Sequence, residues 1–113
     1  MNFRSIMRNK PLPVYNGGVC NIYSIDEEGV HTLKLSGIRF EEKMLGFKRF
    51  FAAAADQTKI DRVIRIPNII GIVAQDIVEI VEVGKFRVEL SQKILDFTPP
   101  CFDLSLSQLE MFV

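Results

Sequence analysis

From residue 60 onward the chain alternates apolar and polar side chains with a period of two, in short β-branched runs separated by proline and glycine. That period belongs to half-buried strands, whose successive side chains point to opposite faces. Arg62-Val-Ile-Arg-Ile-Pro67 reads as a strand closed by proline. Ile77-Val-Glu-Ile-Val-Glu-Val83, then Gly84, then Lys85-Phe-Arg-Val-Glu-Leu90 reads as two strands joined by a tight turn at Val83 and Gly84. In the second of these, Phe86, Val88 and Leu90 share one face, with Lys85, Arg87 and Glu89 opposite. Phe102-Asp-Leu-Ser-Leu-Ser107 alternates in the same way, Phe102, Leu104 and Leu106 against Asp103, Ser105 and Ser107. Thr98-Pro-Pro-Cys101 is a stiff connection that no central strand accommodates.

The first half is less regular. Residues 1–18 carry Pro11, Pro13, Gly17 and Gly18 and read as an arm ahead of the folded unit. Residues 19–25 and 30–35 flank Asp26-Glu-Glu-Gly29, a hairpin loop. His31, Leu33 and Leu35 share one face of the second strand, Thr32 and Lys34 the other. Residues 36–58 send two signals. Met44, Phe47, Phe51 and Ala54 recur at helical spacing, Ala52 to Ala55 favours helix, and Glu41 and Glu42 suit a helix N-terminus. Gly46 interrupts that stripe, and Ile38 and Phe40 alternate around Arg39 like a strand. A short helix and an extended excursion both fit. The expected fold is therefore mainly β: a small antiparallel β-barrel or sandwich over 19–113, with a long excursion, loop or short helix, at about 40–58 between early strands.

Length agrees with one domain, since 113 residues bury enough surface for one modest core. Lysine plus arginine equals aspartate plus glutamate at 14 each. A zero net charge argues against gripping nucleic acid through overall charge and weakly favours self-association. The longest apolar run, 69–74, is far too short for a membrane span, and the first ten residues lack the apolar core of a signal peptide. Cys20 and Cys101 are accordingly expected as reduced thiols.

Candidate chemistry is sparse. His31 is the only histidine, and no local signature joins it to Cys20 or Cys101 as a nucleophile and base. No spacing typical of zinc or calcium ligands occurs, and Glu79 and Glu82 face opposite ways if 77–83 is a strand. No phosphate-cradling glycine loop is present. The expectation is no enzyme, no cofactor and no metal. Charge placement says more. Lys43, Lys48, Arg49, Lys59, Arg62 and Arg65 make the middle basic, whereas 66–84 carries only Asp76, Glu79 and Glu82. Either these are ordinary solvated faces, or a basic flank meets the acidic flank of a neighbouring subunit and closes a ring. Phe47, Phe50 and Phe51 beside the basic cluster are anchors for such a contact or part of the core.

The order of several motifs resembles the head–tail joining proteins of tailed bacteriophages, also called head-completion or stopper proteins. They are Gly18-Val-Cys-Asn-Ile-Tyr23, Ile38-Arg-Phe-Glu-Glu42, Gly46-Phe-Lys-Arg-Phe-Phe-Ala52, Ile60-Asp-Arg-Val-Ile-Arg-Ile-Pro67, Asp76-Ile-Val with the Gly84 hairpin, Phe97-Thr-Pro-Pro-Cys101 and Leu104-Ser-Leu106. They cover roughly residues 17–110. The resemblance implies a β-barrel subunit that forms a ring below the portal and adaptor, closes the head after DNA packaging and offers a docking face to the tail. It implies residence in the virion, after synthesis in the bacterial cytoplasm, and no membrane partner. It also makes the excursion the part that reaches the channel and gates DNA. Lys43, Phe47, Lys48, Arg49, Phe50, Lys59 and Arg62 are then the candidate contacts to subunits, partners or channel. Two other readings remain open: a tail-terminator or tail-completion subunit, and an OB-like single-strand binder in which Phe50 and Phe86 stack bases beside Arg49 and Arg87.

Overall fold

The computed structural model describes residues 10–43 and 60–109. Among them are six strands: β1 (Gly18–Ile25), β2 (His31–Lys43), β3 (Arg62–Pro67), β4 (Ile77–Ile80), β5 (Gly84–Ile94) and β6 (Cys101–Gln108). Every neighbouring pair is antiparallel, and the ring order β1-β2-β3-β6-β5-β4 closes a barrel. The fold is two successive three-stranded meanders, β1–β3 and β4–β6, sealed by the β3–β6 and β4–β1 pairs. Closure removes sheet edges wherever it is complete.

Inward positions follow the expected alternation. Cys20 and Ile22, Phe40, Ile64 and Ile66, Val78 and Ile80, Phe86 and Val88, and Leu104 and Leu106 fill the barrel. Ile72 joins them from the connection between β3 and β4. The first hairpin turns as its residues require. The Asp26 carboxylate accepts bonds from the Glu28 and Val30 amides at 2.9 and 2.8 Å, and Gly29 takes a positive φ of 85°.

The connections sort into two ends. The β1–β2 tip, the 68–76 connection and the 95–100 connection lie at one. The start of β1, the β4–β5 turn, the end of β6 and the base of the 44–59 segment lie at the other. Residues 10–17 run outside the barrel between them. The Gly17 amide donates to the Phe40 carbonyl at 2.7 Å, and the Thr98 amide donates to the Pro11 carbonyl at 3.0 Å.

The fold keeps to the strand pattern in late β2 and departs from simple alternation in β4, β5 and β6. β2 continues through Ile38 and Phe40 to Lys43, so the strand reading holds there; the rest of the excursion, 44–59, lies outside the described residues. β4 stops at Ile80, because Glu82 enters the left-handed region (φ 68°) and the Val83 amide bonds back to the Ile80 carbonyl at 2.9 Å. Val81 and Val83 are thereby exposed. A register shift between Val88 and Leu90 places an extra residue, Glu89, in β5. Such a bulge moves later side chains to the other face, so Leu90 points outward, not inward with Phe86 and Val88. Finally β6 is buried on both faces, so Asp103 and Ser105 are covered although they point out of the barrel.

Candidate functional site

Two of the candidate contacts, Lys43 and Arg62, are the last residue of β2 and the first of β3. They stand at the base of the 44–59 segment but on opposite faces of the sheet. Lys43 pairs with Val63 in the register and faces outward, 3.7 Å from the Glu41 carboxylate. Both side chains are half-exposed and the separation is long, so this pair contributes little to stability. Arg62 shares the inward parity of Ile64. Its guanidinium lies 5.3 Å from the centre of the Phe86 ring and its Nε 3.1 Å from Glu42 Oε1. Arg62 therefore caps the open end of the barrel. The Glu42 carboxyl is raised above its ordinary pKa by burial at this mouth, against the opposing pull of Arg62. Phe47, Lys48, Arg49, Phe50 and Lys59 lie outside the described residues.

The acidic flank is not one patch. Asp76 is buried at the far end, 2.6 Å from Lys34 Nζ, and its Oδ2 accepts the Val73 amide at 3.0 Å. Glu79 sits on the outer face of β4, where Oε1 accepts bonds from Asn21 Nδ2 at 3.2 Å and the Tyr23 hydroxyl at 3.1 Å. That bond raises the Tyr23 phenol pKa, with Lys85 Nζ on the other side, 5.9 Å from the ring centre. Glu82 alone of the three stands exposed on a turn, at the same end as Lys43 and Arg62. In ring order the β4–β5 turn lies across the mouth from the β2–β3 base. Both sides of this end carry both signs, with Glu41, Glu42 and Asp61 beside Lys43 and Arg62 on one and Lys85 beside Glu82 on the other. Beside this turn is an open groove of about 410 Å³ lined by Glu79, Glu82, Lys85, Gln108 and Leu109, among others.

The sequence alone does not show that two outward charges form a buried pair. Arg65 and Asp103, read as an exposed cation and an outward polar position, are 8% and 2% exposed and joined by two hydrogen bonds. The guanidinium also stacks over Phe97, 4.6 Å from the ring centre. Glu41, Arg65, Asp103 and Gln92 form one row across β2, β3, β6 and β5. Tyr15, from the arm, reaches this row beside Cys101. Burial raises the Tyr15 phenol pKa, with the neighbouring Cys101 adding to it. The register supplied the only available signal: Arg65 and Asp103 carry opposite charges at outward positions of strands that turn out to be neighbours.

The residues weighed for chemistry are dispersed. His31 begins β2 in an exposed position, its ring 6.3 Å from that of Tyr23. Cys20 and Cys101 are free, buried thiols; Cys20 belongs to the core, and burial pushes its thiol up to about 12. Among the described residues no group of three or more metal-type ligands occurs, and no helix is long and apolar enough to cross a membrane. Phe86 is a core residue beneath Arg62, so it offers no face for stacking a base, which corrects that part of the single-strand-binding reading.

Compared with protein-family models, curated proteins and solved structures, the chain shows no match.

Proposed function

We propose that the chain is a structural subunit of a tailed-phage virion, which joins head to tail and closes the portal channel as a ring. The observation that carries this reading is the order of motifs along residues 17–110, set on a small antiparallel barrel. The barrel sends its longest connection, 44–59, from one mouth, between the basic residues Lys43 and Arg62. Three of the candidate contacts, Lys48, Arg49 and Lys59, are cations on that connection. A basic segment suits a channel that holds DNA, because lysine and arginine neutralise phosphates without reading sequence. The same charges suit Glu82 at a neighbouring subunit's mouth.

The test is assembly. Lys48→Glu with Arg49→Glu reverses charge on the connection. The expected outcome is a folded protein that no longer completes infectious particles. Particles completed at the normal yield by this variant would remove the connection from the mechanism.

A further inference from the structure

Residues 10–17 cross the outside of the barrel without joining its sheet. Among the described residues their backbone is held at two points, the Gly17 amide on the Phe40 carbonyl and the Pro11 carbonyl on the Thr98 amide. Side chains add little between these points. Leu12 and Val14 stand 74% and 58% exposed, and of residues 10–17 only Pro13 and Tyr15 are half-buried. Two glycines form the root of the arm. A Cβ on Gly17 would stand 2.9 Å from the Glu42 amide nitrogen and 3.1 Å from the Phe40 carbonyl oxygen. Gly18 has a φ of 143°, which other residues rarely adopt. Two successive residues without side chains give the chain a joint where the arm meets β1.

The ground beneath the arm is polar. Arg65, Asp103 and Cys101 point out of the barrel, away from Ile64, Ile66, Leu104 and Leu106. Yet Cys101 is fully buried, and Arg65 and Asp103 nearly so. Tyr15 is the arm residue that reaches them, its phenol neighbouring both Cys101 and Arg65. Covering a charged pair gains less than covering apolar surface, because each charge gives up water. Uncovering this pair returns that water while both Arg65–Asp103 bonds stay made. The β3–β6 ladder runs from Arg62 to Pro67 against Leu106 to Cys101 and includes no arm residue. The arm is thus a unit of lower local stability than the barrel it lies on.

We infer that residues 10–16 form a strap that lifts as a unit about Gly17 and Gly18, baring Cys101 and the Arg65–Asp103 pair while the barrel stays closed. Tyr15 is its latch, and the bond between Pro11 and Thr98 is its far tie. Lifting turns a hidden ion pair into molecular surface. The two cysteines respond to it differently. Cys20 lies in the core and is bared only when the barrel unfolds, whereas lifting the strap suffices for Cys101. The strap works in this way whatever assembly the chain joins.

Alkylation of the full native chain with iodoacetamide, followed at each cysteine by peptide mass spectrometry, tests the strap. Cys101 is expected to react at least roughly a hundredfold faster than Cys20. Low urea should accelerate Cys20, whose exposure follows global unfolding, and leave Cys101 nearly unchanged. Val88→Ala, a change in the core, should speed Cys20 roughly tenfold or more and leave Cys101 as it was. Ile64→Val gives the same contrast more mildly if Val88→Ala does not fold. Tyr15→Ala should speed Cys101 roughly tenfold, because it removes the latch. Equal rates for the two thiols, with equal urea dependence, would overturn the inference, because Cys101 would then be bared only by global unfolding. So would acceleration of both thiols alike by Val88→Ala. A Cys101 rate indifferent to Tyr15→Ala would overturn it as well, since the arm would not be its cover.

Discussion

Arg65 of β3 and Asp103 of β6 face each other across the sheet, held by bonds of 2.7 Å from Nε to Oδ1 and 3.0 Å from Nη2 to Oδ2. The bond to Asp103 is the main cause of a guanidinium pKa raised above its ordinary value. Two parallel bonds satisfy both charges under the arm, where an unpaired partner would stand desolvated. Arg65→Ala is therefore expected to cost about 3–5 kcal/mol, measured by urea denaturation. The double change Arg65→Met, Asp103→Leu should cost far less than the two single changes combined, because it leaves no buried charge behind.

The thiol of Cys20 gives the fold an alkaline limit. Its pKa is raised from an ordinary 9 to about 12 because burial disfavours the thiolate. A raised acid pKa in the folded state means that the unfolded chain loses its proton first. The stability is thus intact below pH 9 and falls as the pH rises toward 12. The expected loss over that window is roughly 4 kcal/mol. Cys101 is shifted the same way, burial being the largest cause. Denaturation midpoints measured from pH 8 to 11 should fall steeply, and less steeply in Cys20→Val.

Two neighbours in β5 separate the bulge from simple alternation. Val88 is fully buried and Leu90 lies beyond the register shift with its side chain outward. Val88→Asp places an unpaired charge in the core and should cost about 4 kcal/mol or more, enough to unfold a marginal domain. Leu90→Asp should cost less than about 1 kcal/mol in the isolated chain. Thermal melts of both variants decide it; equal, large losses would mean that β5 has no bulge.

Asp76 ties the 68–76 connection down. Its Oδ2 accepts the Val73 amide and meets Lys34, and its backbone carbonyl accepts the Val88 amide at 2.8 Å. Asp76→Ala keeps the backbone bond and removes the other two. A loss of about 2 kcal/mol is expected, with faster hydrogen exchange at the Val73 amide.

The strands legible in the sequence were those whose alternation and punctuation agreed. Pro67 closes β3 where expected, and Asp26 with Gly29 sets the first hairpin. Three features stayed hidden, each for a physical reason. The bulge at Glu89 changes parity without changing composition. The end of β4 depends on one backbone angle at Glu82, a residue that rarely adopts it. Burial of Arg65 and Asp103 depends on strand order and on the arm laid across them, both long-range facts. Of the candidate contacts, the structure places Lys43 and Arg62 at one mouth, and it turns Arg62 into a cap over Phe86.

The central claim is the place of this chain at the junction of head and tail. Electron microscopy of phage particles assembled without it tests that most directly. The account predicts filled heads that leak DNA and carry no tails. Intact, sealed heads beside free tails of abnormal length would contradict it and move the chain to the end of the tail.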